Sequence, residues 1–141
     1  MILLDTNVVS ALMQQVPDAG IVSWLDGQPS ESVWTTAVTV FEVRFGLEIL
    51  TKGRRRQRLE EAFARALAVD LEGRVLPFDD AAAHAAGALA ARRRQAGRPV
   101  ETRDIQIAGI AASRRATLAT RNLRHFEGLG LALVDPWSGR A

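Results

Sequence analysis

Ile2-Leu3-Leu4-Asp5-Thr6-Asn7-Val8-Val9 stands at the start of the chain. Three apolar residues followed by a polar triplet read as a short buried strand that ends in a turn. From Val8 to Met13 the pattern predicts a helix, limited by Pro17. The same grammar recurs downstream. Val33-Trp34-Thr35-Thr36-Ala37, Arg74 to Leu76, Ala116 to Thr120 and Leu131 to Val134 have strand composition. Between them, helices are expected at Ile21 to Leu25, after a capping box formed by Thr39 and Glu42, and from Arg55 to Val69. Two more follow: an alanine-rich helix capped by Asp79 or Asp80 and ending near Gly97-Arg98-Pro99, and a helix over Thr102 to Arg114. Short apolar strands alternating with helices specify an α/β fold, a parallel sheet covered on both faces. Residues 1–141 are expected to form one domain.

Composition narrows the chemistry. A hydrophobic fraction of 48% and a charged fraction of 24% are ordinary globular values. With no cysteine, a disulfide framework, a zinc–thiolate site, an iron–sulfur cluster and a cysteine nucleophile are excluded. No uncharged apolar run approaches the roughly 18 residues that a membrane span needs, and Met1 is not followed by a basic leader, so a cytoplasmic chain is expected. Net charge is +2, and Lys52 is the only basic residue that is not arginine. Clusters at Arg54-Arg55-Arg56, Arg92-Arg93-Arg94 and Arg114-Arg115 read as solvated helix faces or as phosphate-contacting surface; charge alone does not choose between these.

Three acids fall where a packing argument does not want them. Asp5 ends the first strand, at the crevice where open α/β sheets bind ligands, or it merely caps the next helix. Glu42 shares a stripe with Phe45, Gly46 and Ile49, the face expected to turn inward, unless the reciprocal cap with Thr39 accounts for it. Asp104 tops the apolar stripe Ile107, Ala108, Ala111 and Ala112, or is simply an acid favoured by the first helical turn. Clustered carboxylates repel unless a cation neutralises them. Hard oxygen donors select Mg²⁺ or Mn²⁺, and an ion so held serves phosphoester chemistry. A phospho-receiver domain is disfavoured, because Asp5 has no neighbouring acid and no lysine follows the last strands. His84 and His125 are read as packed or surface residues, and Trp24, Trp34 and Trp137 as core or interface residues.

Leu4-Asp5-Thr6-Asn7, Phe41-Glu42-Val43-Arg44-Phe45-Gly46, Arg103-Asp104-Ile105-Gln106-Ile107-Ala108 and Ala119-Thr120-Arg121-Asn122-Leu123-Arg124-His125-Phe126 occur in this order. Together they resemble the PIN domain, and more narrowly the VapC- and FitB-type toxins of type II toxin–antitoxin pairs. The ending Gly128-Leu129-Gly130-Leu131 through Asp135-Pro136-Trp137 is similar to that subgroup as well. The resemblance implies a three-layer α/β/α domain with a parallel sheet of four or five strands. It implies a Mg²⁺- or Mn²⁺-dependent ribonuclease that hydrolyses RNA phosphodiester bonds through a metal-activated water. Asp5, Glu42 and Asp104 would be the catalytic acids and metal ligands, with Thr6, Asn7 and Thr120 supporting them. Arg121 and Arg124 would contact RNA phosphates.

Many PIN domains carry a fourth acid where this chain has Asn122, which could act only weakly or through a water, so one well-held ion is expected. The resemblance further implies a homodimer restrained by a small VapB/FitA-like antitoxin, with operator DNA bound only through that antitoxin. A catalytically weak PIN-like module, acting only through complex formation, is the alternative.

Overall fold

A computed structural model describes residues 1–138. Strand β1 (Ile2–Leu4) sits at the centre of a five-stranded sheet. It is followed by α1 (Thr6–Leu12), α2 (Ala19–Asp26), β2 (Val33–Thr36), α3 (Ala37–Glu48) and α4 (Arg54–Arg65), the last running into a π-helical turn over Ala66–Asp70. Then come β3 (Val75–Leu76), α5 (Asp80–Gln95), α6 (Thr102–Arg114), β4 (Thr117–Ala119), a 3₁₀ turn at Leu123–His125 and β5 (Ala132–Val134). The strand order is β3-β2-β1-β4-β5 and all four pairings are parallel. Leu3 is in register with Trp34 on one side and Leu118 on the other.

Alternation along β1 builds the layers, because successive side chains leave a strand on opposite faces. Leu3 joins Leu118, Leu76 and the apolar residues of α5 and α6 in one core; Ile2 and Leu4 join Val8, Val9, Val43, Leu47 and Phe63 in the other. The result is a three-layer α/β/α arrangement, with α5 and α6 on one face and α1 to α4 on the other. No helix of the described residues is long and apolar enough to cross a membrane.

Helix α3 departs from expectation in start and in phase. It begins at Ala37, and the capping residue is Thr36, whose hydroxyl accepts from Thr39 N–H at 3.1 Å. Thr39 is fully buried, so no Thr39–Glu42 capping box forms. Val38, Thr39, Val43 and Leu47 face the core, whereas Phe41, Phe45 and Ile49 are exposed by 58, 53 and 69%. Two apolar stripes compete in this sequence, and the tight β2-to-α3 junction selects the β-branched and leucine stripe for the sheet. By contrast, Ile107, Ala108 and Ala111 of α6 are fully buried, as their spacing predicts.

The arginine clusters separate in the same way. Arg54 and Arg55 are exposed, but Arg93 is only 8% exposed. Its guanidinium donates to the main-chain carbonyls of Pro99, Glu127 and Arg124 at 3.1, 3.5 and 3.4 Å. That residue of the Arg92-Arg93-Arg94 run is a staple between two loops rather than part of a solvated face.

Candidate active site

The carboxyl end of β1 delivers Asp5 into the crevice, 4% exposed. Its backbone N–H still donates to Ala119 in the sheet at 2.9 Å, so the main chain fixes the residue before its side chain does. Asp5 is also the N-cap of α1, its Oδ1 accepting from Thr6 N–H at 2.8 Å. The other oxygen, Oδ2, accepts from the Thr120 hydroxyl at 2.7 Å and from Asn7 Nδ2 at 3.3 Å. Capping and site-building are thus the same act. Thr120, fully buried after β4, has its Oγ1 accept from Asn122 N–H at 3.0 Å, and Asn7 Oδ1 accepts from Arg121 N–H at 3.2 Å. The turn after β4 is therefore tied to the turn after β1.

Glu42 enters from α3. The Thr6 hydroxyl donates to its Oε1 at 2.9 Å and also lies 3.2 Å from the Thr39 hydroxyl. Asp104 enters from the first turn of α6, where Glu101 caps the helix by accepting from Asp104 N–H at 2.8 Å. Asp5, Thr6, Asn7, Glu42, Asp104 and Asn122 line one open cleft of about 530 Å³. Burial, the largest cause, pushes the Asp5 carboxyl above its usual range; hydrogen bonds from Thr120 and Thr6 oppose this and the Asp104 carboxylate adds to it. Burial likewise raises Asp104, with Glu101 and Glu42 adding to the shift and His125 working against it.

Two basic side chains to which the sequence reading gave no role at the site lie at this cleft. His125, read as packed or surface, places Nδ1 2.9 Å from Asp104 Oδ2. Arg103 places Nη1 3.7 Å from Glu42 Oε2 and Nε 3.6 Å from Glu101. The signal for His125 was its place in the turn after β4, beside the crevice. Arg103 carried only its adjacency to Asp104. Of the two arginines expected to contact phosphate, Arg121 stacks over the Trp137 ring at 4.8 Å, and Arg124 lines a basin that adjoins the cleft. Trp137 also packs against the α1-to-α4 core, as do Trp24 and, in the other core, Trp34.

Hard oxygen donors, two of them raised in proton affinity, suit a small divalent cation better than zinc. Among the described residues, however, no three His, Asp or Glu side chains are gathered closely enough to hold a metal as they stand. Glu42 is turned to Thr6 and Asp104 to His125, so shared coordination needs rotation of these two side chains, soft torsions in a half-open cleft.

The PIN-domain family matches residues 2–129. This chain belongs to the PIN-domain family. The PIN domain is 37% identical to the VapC ribonuclease Y4jK of Sinorhizobium fredii over 97% of this chain and 98% of that one. It is 34% identical to the toxin FitB of Neisseria gonorrhoeae over 97% of this chain and 99% of the relative. Its backbone superposes on a chain of the FitAB complex bound to the IR36 DNA fragment with a TM-score of 0.87 and 34% identity, covering 97% and 96% of the two chains.

Proposed function

We propose that this PIN domain is the ribonuclease toxin of a type II toxin–antitoxin pair, hydrolysing RNA phosphodiester bonds with Mg²⁺ or Mn²⁺. The observation that carries this reading is the convergence of Asp5, Glu42 and Asp104 from three separate elements on one cleft at the carboxyl edge of the sheet. The names of the ribonuclease and toxin relatives support it. Asp5, Glu42 and Asp104 would hold the cation. Such an ion supplies positive charge against the phosphoryl oxygens and acidifies water. The protein's own contribution is positional. Thr6 N–H and the Thr120 hydroxyl hold both oxygens of Asp5, and Asn7 braces that pair from the side. The Thr6 hydroxyl aims Glu42, and the His125 ring restrains Asp104. Asn122 lines the cleft without adding charge, which suits one firmly held ion.

The same reading gives this chain a homodimeric state and a small VapB/FitA-like antitoxin, with operator DNA reached only through that partner; the solved FitAB complex bound to a DNA fragment supports the antitoxin and the DNA. The test is incubation of the purified full chain with structured RNA in Mg²⁺, in Mn²⁺ and in EDTA, beside Asp5→Asn. Cleavage by the parent in either metal, abolished by EDTA and reduced at least about 100-fold in the variant, is expected. Absence of cleavage under all conditions overturns the enzymatic reading and leaves a binding module. Equal rates in parent and variant overturn the role of Asp5.

A further inference from the structure

Beside the acidic cleft lies a second basin of about 490 Å³, and the two share Glu101, Asp104 and His125 as their common wall. Its other walls are Arg98, Pro99, Val100, Ile105 and Arg124, with Arg93 beneath. The acidic cleft gathers Asp5 and Glu42 with one arginine, Arg103, whereas the basin adds three arginines, Arg93, Arg98 and Arg124, to the shared wall.

Arg93 makes this more than a surface patch. Arg93 is 8% exposed, its guanidinium is held by three main-chain carbonyls, and among the described residues no carboxylate lies within ion-pairing distance of it. Buried charges are ordinarily paired, because removing an ion from water is costly unless an opposite charge compensates. Here the compensation is left to the dipoles of those carbonyls, on the floor of the basin. Arg98 stands at the rim, donating to the Glu127 carbonyl at 3.1 Å, and Arg124 is exposed in the 3₁₀ turn. Val100, 43% exposed, and Pro99 add an apolar wall. A cationic floor beside an apolar wall matches a phosphate joined to a sugar and base.

We infer that this basin is a nucleotide subsite, which holds the RNA residue next to the scissile phosphate by its own phosphate and apolar face. The inference rests on the ribonuclease reading of the adjacent cleft. A strand lying across both basins would set one phosphate among the acids and a neighbouring phosphate among the arginines. Arg93, which staples the Pro99 loop to the Arg124 turn, keeps this basin formed before RNA arrives.

The test uses the full chain in the Asp5→Asn background with Mg²⁺, so that binding is read without cleavage. A fluorescein-labelled single-stranded oligoribonucleotide is titrated by anisotropy at several salt concentrations. Arg124→Glu is expected to weaken binding at least about 10-fold and to reduce the salt slope by about 0.7, one phosphate contact on a single strand. Val100→Asp is expected to weaken it about 5-fold. Arg55→Glu, the same charge change on the far helix α4, should stay within about twofold, and matching urea midpoints establish that all variants are folded. In the parent background, Arg124→Glu should raise KM about 10-fold with kcat within about twofold. Binding that depends on Arg124 in a protein whose parent cleaves no RNA supports the subsite and sinks the catalytic reading. Cleavage by the parent, with Arg124→Glu indistinguishable from Arg55→Glu in binding and KM, overturns the subsite and leaves the catalytic reading intact.

Discussion

Asp5 carries two opposed demands. As cap and cleft residue it must accept from Thr6, Thr120 and Asn7, yet its burial and the nearby Asp104 disfavour its charge. Because its folded pKa lies above the usual carboxylate value, the folded state binds more protons than the unfolded chain in the interval between the two. Stability of the metal-free protein therefore falls as pH rises through that interval, and the penalty stays in full above it. Asp104 contributes in the same direction. Asp5→Asn removes the charge while keeping an acceptor for Thr6 N–H. In EDTA at neutral pH the variant should melt about 3 °C higher than the parent, the shift of roughly 1 kcal/mol in a domain of this size. Its melting temperature should also vary less between pH 4 and 7. A lower melting temperature at every pH would mean that the lost hydrogen bonds outweigh the relieved charge.

Helices α5 and α6 meet at Gly109, where an added Cβ would come 2.5 Å from the Ala82 carbonyl oxygen and 2.6 Å from Ala86 Cβ. Gly109→Ala should cost about 1–3 kcal/mol through forced separation, although alanine is the better helix former; urea unfolding measures it. The same two helices carry Asp104 and Arg93, so a loss larger than that in cleavage rate would follow the helix pair's position. Helix α3 makes the complementary point. Phe45→Ser should alter stability by less than about 0.5 kcal/mol, while Val43→Ala on the buried stripe should cost about 2 kcal/mol. Sequence periodicity marked α3 and α6 equally well, yet only in α6 did it give the correct buried face. Its remaining isoleucines, Ile105 and Ile110, are buried beside the Ile and Ala stripe rather than opposite it. In α3 the bulky stripe Phe41, Phe45 and Ile49 competes with Val38, Val43 and Leu47, and the Thr36 cap at the end of β2 accompanies the phase that buries the second set.

Across the whole molecule, the parallel sheet explains why residues 5, 42 and 104 meet. Strand β1 lies between β2 and β4, so the turns that leave all three strands emerge at one edge, and α6 brings Asp104 back to it. The α/β class and the acids were readable, because short apolar strands alternate with helices and each acid stands at an element end. The opposing basic side chains were not. Arg103, His125 and the buried Arg93 acquire meaning only through partners distant in sequence, such as Glu42 or Glu127, and a run of arginines looks alike whether solvated or stapled inside. The crevice joins two basins through Glu101, Asp104 and His125, one rich in carboxylates and the other in arginines.

Isothermal titration with Mn²⁺ tests the cation site proposed for the three acids most directly, using the parent, Asp5→Asn, Glu42→Gln and Asp104→Asn. One ion per chain is expected for the parent, with affinity rising with pH as the carboxylates lose their protons, and a loss of at least about 10-fold in each variant. A parent that takes up no Mn²⁺, or an Asp104→Asn protein that binds it as tightly as the parent, would contradict a cation shared by the three acids.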